Sequence, residues 1–128
     1  MVSTVNDKRP VNLDIGSMRL PITAWVSISH RASGVFLFVA TAVLLWALDA
    51  SLRSPESFAA LRECLDTLWM KLVIWAVLAG LIYHTAAGVR HLIMDCGIGE
   101  SMPGGVLGAR LVIAVSVLLT VLAGVWIW

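Results

Sequence analysis

Charge is the scarcest feature of this chain. Only 13% of the residues are Asp, Glu, Lys or Arg, against about a quarter in a typical soluble domain, while 59% are hydrophobic. A dense soluble core could share that excess, so the distribution of charge decides. Gly34 to Leu48, Leu72 to Val89 and Leu111 to Trp128 contain no charged residue at all. A helix crossing about 30 Å of hydrocarbon needs roughly 20 mainly apolar residues, and all three stretches approach or reach that length with their flanks. The net charge of +1 speaks against nucleic acid as a partner. Only two cysteines occur, Cys64 and Cys96, with no CxxC or CxxCH. Residues 1–24 include Lys8, Arg9, Pro10 and Asp14 and hold no short apolar run before an A-x-A site, so no secretory signal is expected and the first apolar segment is a retained anchor. Neither an internal repeat nor a low-complexity segment is present.

What remains is an all-α membrane protein of three transmembrane helices. Residues 1–23 form a hydrophilic arm, which Pro10 and Pro21 keep extended; it is either an arm against a partner or a plain tail. Residues 24–128 form the three-helix anchor, with helices expected at about 24–48, 67–94 and 109–128. Trp25 and Trp46 lie 21 residues apart, or about 31 Å along a helix, the separation of two interfacial aromatic belts. Between the first two helices, Asp49 to Asp66 is a polar connection with a turn or helix start at Ser54-Pro55. Between the second and third, Gly97 to Gly108 is a loop, with Met102-Pro-Gly-Gly105 as its breaker. On one side of the membrane stand Lys8, Arg9, Arg19, Arg31, Arg90 and Arg110; on the other stand Arg53, Arg62 and Lys71. The positive-inside bias then places the N-terminus in the cytoplasm and the C-terminus across the membrane. Cys64 and Cys96 fall on opposite sides, which excludes a disulfide within one chain.

Ionisable residues at membrane depth are functional candidates by default. The first helix carries Ser27, Ser29, His30, Arg31 and Ser33; the second carries His84, Arg90, His91 and Asp95. His84 lies about 9 Å along the axis from Arg90, inside the membrane. Gly80, His84 and Gly88 share one face. Two readings fit that face: a flat cofactor such as a b-type haem approaching the small residues, with His84 as axial ligand, or small-residue helix packing with His84 hydrogen-bonded across an interface. A six-coordinate haem would need its second histidine from another subunit. Ser27 and Arg31, one turn apart, could donate to a quinone oxygen; Arg31 and His30 could equally neutralise haem propionates, or Arg31 could snorkel to lipid phosphates. His91 and Arg90 suit propionates or a partner surface, since His84 and His91 are about 10 Å apart along one helix and cannot share one haem iron.

Two spaced motifs carry a family resemblance. Ser27-x-x-His30-Arg31-x-Ser33-Gly34 resembles the first signature of the cytochrome b556 membrane-anchor subunit of succinate dehydrogenase, and His84-x3-Gly88-Val-Arg90-His91-x3-Asp95 resembles its second. Arg9-Pro-Val-Asn-Leu-Asp14 is similar to the start of proteobacterial members. The resemblance implies a non-dehydrogenase subunit of respiratory complex II in a bacterial inner membrane, acting in electron transport and the citric acid cycle. It would form half of a haem-binding bundle with a second three-helix anchor, beneath an iron–sulfur subunit and a flavoprotein. Haem b would be ligated by His84 and by a histidine of the second anchor. Gly88 would pack the haem, and His30, Arg31 and His91 would lie near its propionates. Ser27 and Arg31 would bind ubiquinone. The alternatives are a fumarate reductase anchor or a small non-redox membrane protein.

Overall fold

The computed structural model describes Asp14 and residues 16–128. Lys8, Arg9 and most of the Arg9–Asp14 stretch lie outside the described residues. Four helices follow: α1 (Ile22–Arg53), α2 (Pro55–Leu65), α3 (Leu68–Asp95) and α4 (Met102–Ile127). Three of them, α1, α3 and α4, are long and apolar enough to cross a membrane. The chain is an all-helical, multi-pass membrane protein, with no strand among the described residues.

The helix ends have local causes. Pro21 precedes α1 in an extended conformation. At the other end α1 runs to Arg53, past the expected stop at Leu48. An Asp49–Arg53 ion pair at i,i+4 supports the added turn. Pro55 ends it, because the residue before a proline is driven out of the helical region, and Ser54 is extended. The same Ser54 then caps α2, its hydroxyl accepting from Ser57 N–H at 3.1 Å, with Pro55 in the first turn. The Ser54 hydroxyl also holds the Glu56 carboxyl below the usual carboxylate range. After α2, Asp66 pairs with Lys71 at 2.6 Å, and that partner lowers the carboxyl of Asp66 in the same way.

The α3–α4 connection is shorter than the sequence suggests. Gly97 takes a left-handed φ of 79° and completes a Schellman cap: Ile98 N–H donates to Ile93 O at 3.3 Å and Gly97 N–H to Met94 O at 2.8 Å. Gly99 is left-handed too, at φ 80°. Met102-Pro-Gly-Gly105 is therefore the first turn of α4. Ser101 accepts from Gly104 N–H at 3.3 Å, and Pro103 sits where its missing N–H costs no helical bond.

Packing between the spans is built from small residues. Val26, Ala87, Ala109 and Val112 form the buried cluster, with Ile22, Tyr83 and Ala86 against it. Large side chains point outward instead; Phe38 is 82% exposed and Trp126 84%. That inversion suits a chain whose solvent is lipid, where close van der Waals approach between helices replaces a hydrophobic driving force. Arg90 is the exception, a charged side chain only 8% exposed. It lies along the small-residue face of α4 and donates through Nη2 to Gly105 O at 3.3 Å. A Cβ on Gly108 would sit 3.1 Å from Arg90 Nε. Gly108→Val should therefore dislodge Arg90 and destabilise the α3–α4 seam by about 1–3 kcal/mol, read as a lower melting temperature of the purified protein. An unchanged melting temperature would show that this contact does not hold the seam. At the far end of the same seam, Trp75 donates to Thr120 O at 2.9 Å, with Gly124 making room for its ring.

Candidate functional site

The polar residues of α1 and α3 meet because the two helices run antiparallel and cross through their small faces. Gly80, His84 and Gly88 do share a face of α3, and that face abuts α1. A Cβ on Gly80 would lie 2.8 Å from the Phe36 ring, one on Gly34 3.2 Å from His84 Cε1, and one on Gly88 3.6 Å from His30 Nε2. Helix packing thus uses the whole face. Gly88, expected to give room to a haem, here gives room to the His30 imidazole.

All three histidines come together at this crossing. The His30 ring stacks on that of His84, centroids 4.2 Å apart and planes 28° from parallel. It also lies 5.2 Å from the ring of His91 at 38°. The His30 and His84 rings lie face against face and the His91 ring is tilted, and no chelating group of three His, Cys, Asp or Glu side chains occurs among the described residues. His30 Nε2 is enclosed without a hydrogen-bond partner. His84 Nδ1 lies 3.0 Å from Ser33 Oγ and 3.2 Å from His30 O. Its Nε2 has no hydrogen bond among the described residues.

Ser27 and Arg31 lie one turn apart on α1, Ser27 half-buried and Arg31 exposed. Neither is engaged in a hydrogen bond or ion pair with a described residue. Arg90, which the sequence assigns to propionates or a partner surface, is instead buried in the α3–α4 seam. The sequence pattern assigns Ser33 no role of its own. Its signal was present, a hydroxyl three residues after His30, but its partner lies 51 residues away. A groove of about 760 Å³ runs between α3 and α4 and contains none of the histidines. Its walls are aliphatic apart from Thr85 and Arg90, so its size does not mark the chemistry.

Known proteins resemble this chain over most of its length. The family described as succinate dehydrogenase/fumarate reductase transmembrane subunit matches residues 5–123. The succinate dehydrogenase cytochrome b556 subunit of Coxiella burnetii is 44% identical over 97% of this chain and all of its own length. That of Paracoccus denitrificans is 33% identical over 95% of this chain and 94% of its own. The mitochondrial cytochrome b560 subunit of Sus scrofa is 32% identical over 77% of this chain and 60% of its own. The chain belongs to the succinate dehydrogenase/fumarate reductase transmembrane subunit family.

The family's cytochrome members raise the question of whether these residues suit a haem. One residue, His84, has the hydrogen bonding that such a ligand needs. A haem-ligating imidazole binds through one nitrogen in the plane of its ring, while the other nitrogen is held by a carbonyl or similar group. His84 has Nδ1 so held and Nε2 without a protein partner. The His30 stack covers a face of the His84 ring rather than its edge. Gly34 supplies the space in which the His84 edge sits, since a Cβ there would crowd Cε1 at 3.2 Å.

Proposed function

We propose that this chain is the cytochrome b subunit that anchors a succinate:ubiquinone oxidoreductase in the bacterial inner membrane. The observation that carries the reading is His84, an imidazole on a membrane-spanning helix with one nitrogen fixed by α1 and the other left for a ligand. His84 would be one axial ligand of haem b, and a second three-helix anchor would provide the other. When bound, the haem supplies a one-electron carrier within the bilayer. His30, Arg31 and His91 would lie near its propionates, since His30 and His91 meet at that crossing and Arg31 is next to His30 on α1.

Ser27 and Arg31 would serve ubiquinone. A quinone gains negative charge on its oxygens as it is reduced, and donors already aimed at those oxygens stabilise that charge without reorganising. Arg31 offers a permanent cation with several donors, and Ser27 a neutral hydroxyl on the same face. An iron–sulfur subunit and a flavoprotein on the cytoplasmic side would deliver electrons from succinate, which this chain would not touch. The family name spans both directions of the reaction, but the matched relatives are named succinate dehydrogenase subunits, which supports succinate oxidation.

The direct test is affinity isolation through a tag on this chain from detergent-solubilised membranes. The expected result is a four-subunit complex, with flavin and iron–sulfur clusters, that reduces ubiquinone with succinate. Recovery of the chain alone or with non-redox proteins would refute the assignment. Orientation has its own test. Reporter fusions after Glu56 should read periplasmic and fusions after Glu100 cytoplasmic, given six Lys and Arg residues on one side against three on the other. The reverse at both sites would overturn the placement of the N-terminus in the cytoplasm.

A further inference from the structure

We infer that Ser33 is a positioning residue that, with the His30 carbonyl, selects which nitrogen of His84 is free to bind iron; this rests on the reading of His84 as a haem ligand. The argument follows the protons. The Ser33 hydroxyl lies 2.7 Å from His30 O. A carbonyl can only accept, so the single hydroxyl proton points there. Ser33 Oγ therefore turns a lone pair toward His84 Nδ1 at 3.0 Å. The other group facing Nδ1 is His30 O, at 3.2 Å, again an acceptor only. With acceptors on both contacts, Nδ1 must carry the proton, an assignment made from the hydrogen-bond network. In the neutral ring Nε2 then holds the lone pair, the state an imidazole needs to ligate a metal.

A competing explanation is plainer. Serine and threonine in membrane helices commonly bond back to a carbonyl three or four residues earlier, and the contact with His84 could be ordinary interhelical packing. The same helix contains the control. Thr41 bonds back to Leu37 O at 2.8 Å and has no histidine partner. Back-bonding alone makes Ser33 and Thr41 equivalent; a positioning role makes them different. Ser33 also lends electron density to the ring, because an acceptor on Nδ1–H raises ligand basicity. Removing it makes His84 a weaker donor to ferric iron, so the haem midpoint potential rises.

The test uses the assembled complex carrying Ser33→Ala, Ser33→Thr or Thr41→Ala, with redox titration of the haem, its ferric electron-spin-resonance signal and haem retention as readouts. In Ser33→Ala the midpoint potential should rise, the ferric signal should change, and haem affinity should fall on the order of ten-fold. Ser33→Thr, which keeps the hydroxyl, should restore all three, and Thr41→Ala should leave them at wild-type values. If Ser33→Ala does not assemble, Ser33→Cys, a weak acceptor of similar size, should move the potential in the same direction by less. An unchanged potential and signal in the Ala variant, or in the Cys variant where Ala does not assemble, overturns the proposal. So does an equal shift in Thr41→Ala. Failure of the haem reading itself would show elsewhere, as a wild-type complex without b-type haem or an unaltered spectrum in His84→Ala. Those two controls separate the two failures.

Discussion

In a complex carrying His84→Ala, the bis-histidine signature of the haem should disappear. The variant removes the one imidazole whose Nε2 is both unpartnered and backed by a held Nδ1. Neither neighbouring histidine is placed to substitute. His30 Nε2 is enclosed and directed toward Gly88, and His91 is two helical turns further along α3. The loss of haem affinity should exceed the roughly 10–100-fold that removal of an outer-shell partner costs. Some haem can remain through propionate contacts and the other anchor's histidine, so coordination state is the decisive readout. His91→Ala should keep six-coordination. A bis-histidine spectrum unaltered by His84→Ala would place the ligand elsewhere.

Ser27→Ala and Arg31→Leu should separate quinone chemistry from haem binding. Ser27 and Arg31 sit on one face of α1, free of partners among the described residues, whereas the groups that hold His84 come from His30 and Ser33. Ser27→Ala deletes one neutral donor to a developing oxyanion, a loss of about 3 kcal/mol or roughly a hundred-fold in rate by analogy with oxyanion sites. Succinate-dependent ubiquinone reduction should fall accordingly while haem content persists. Arg31→Leu should be worse, since it removes a fixed charge and, on the proposed reading, a partner of the propionates as well. Reduction of an artificial dye that takes electrons upstream should survive in both. Normal ubiquinone reduction in both variants, in assembled complexes, would remove Ser27 and Arg31 from the quinone site.

The three spans were legible because charge-free runs of membrane length have no other stable use. Helix ends were less so. Asp49 and Arg53 look like a polar connection one at a time and form a helical i,i+4 pair together. Pro103 reads as a breaker until Ser101 is recognised as the cap before it, with the actual break at Gly97 and Gly99. At the site, periodicity puts Gly80, His84 and Gly88 on one face but cannot say what covers that face. The answer, α1, comes from tertiary packing. Arg90 shows the same gap: its place near the end of α3 suits propionates or a partner surface, and only the nearness of Gly105 and Gly108 explains its burial. The Ser33–His84 contact joins residues 51 positions apart, beyond any local pattern.

The most direct measurement is a reduced-minus-oxidised absorption spectrum of the complex isolated through this chain, recorded for wild type and His84→Ala side by side. Wild type should show a b-type haem in about one-to-one ratio with the chain, as expected for one axial ligand per subunit, and His84→Ala should show that spectrum altered or lost. A wild-type complex that turns over succinate yet carries no b-type haem would contradict the assignment of His84.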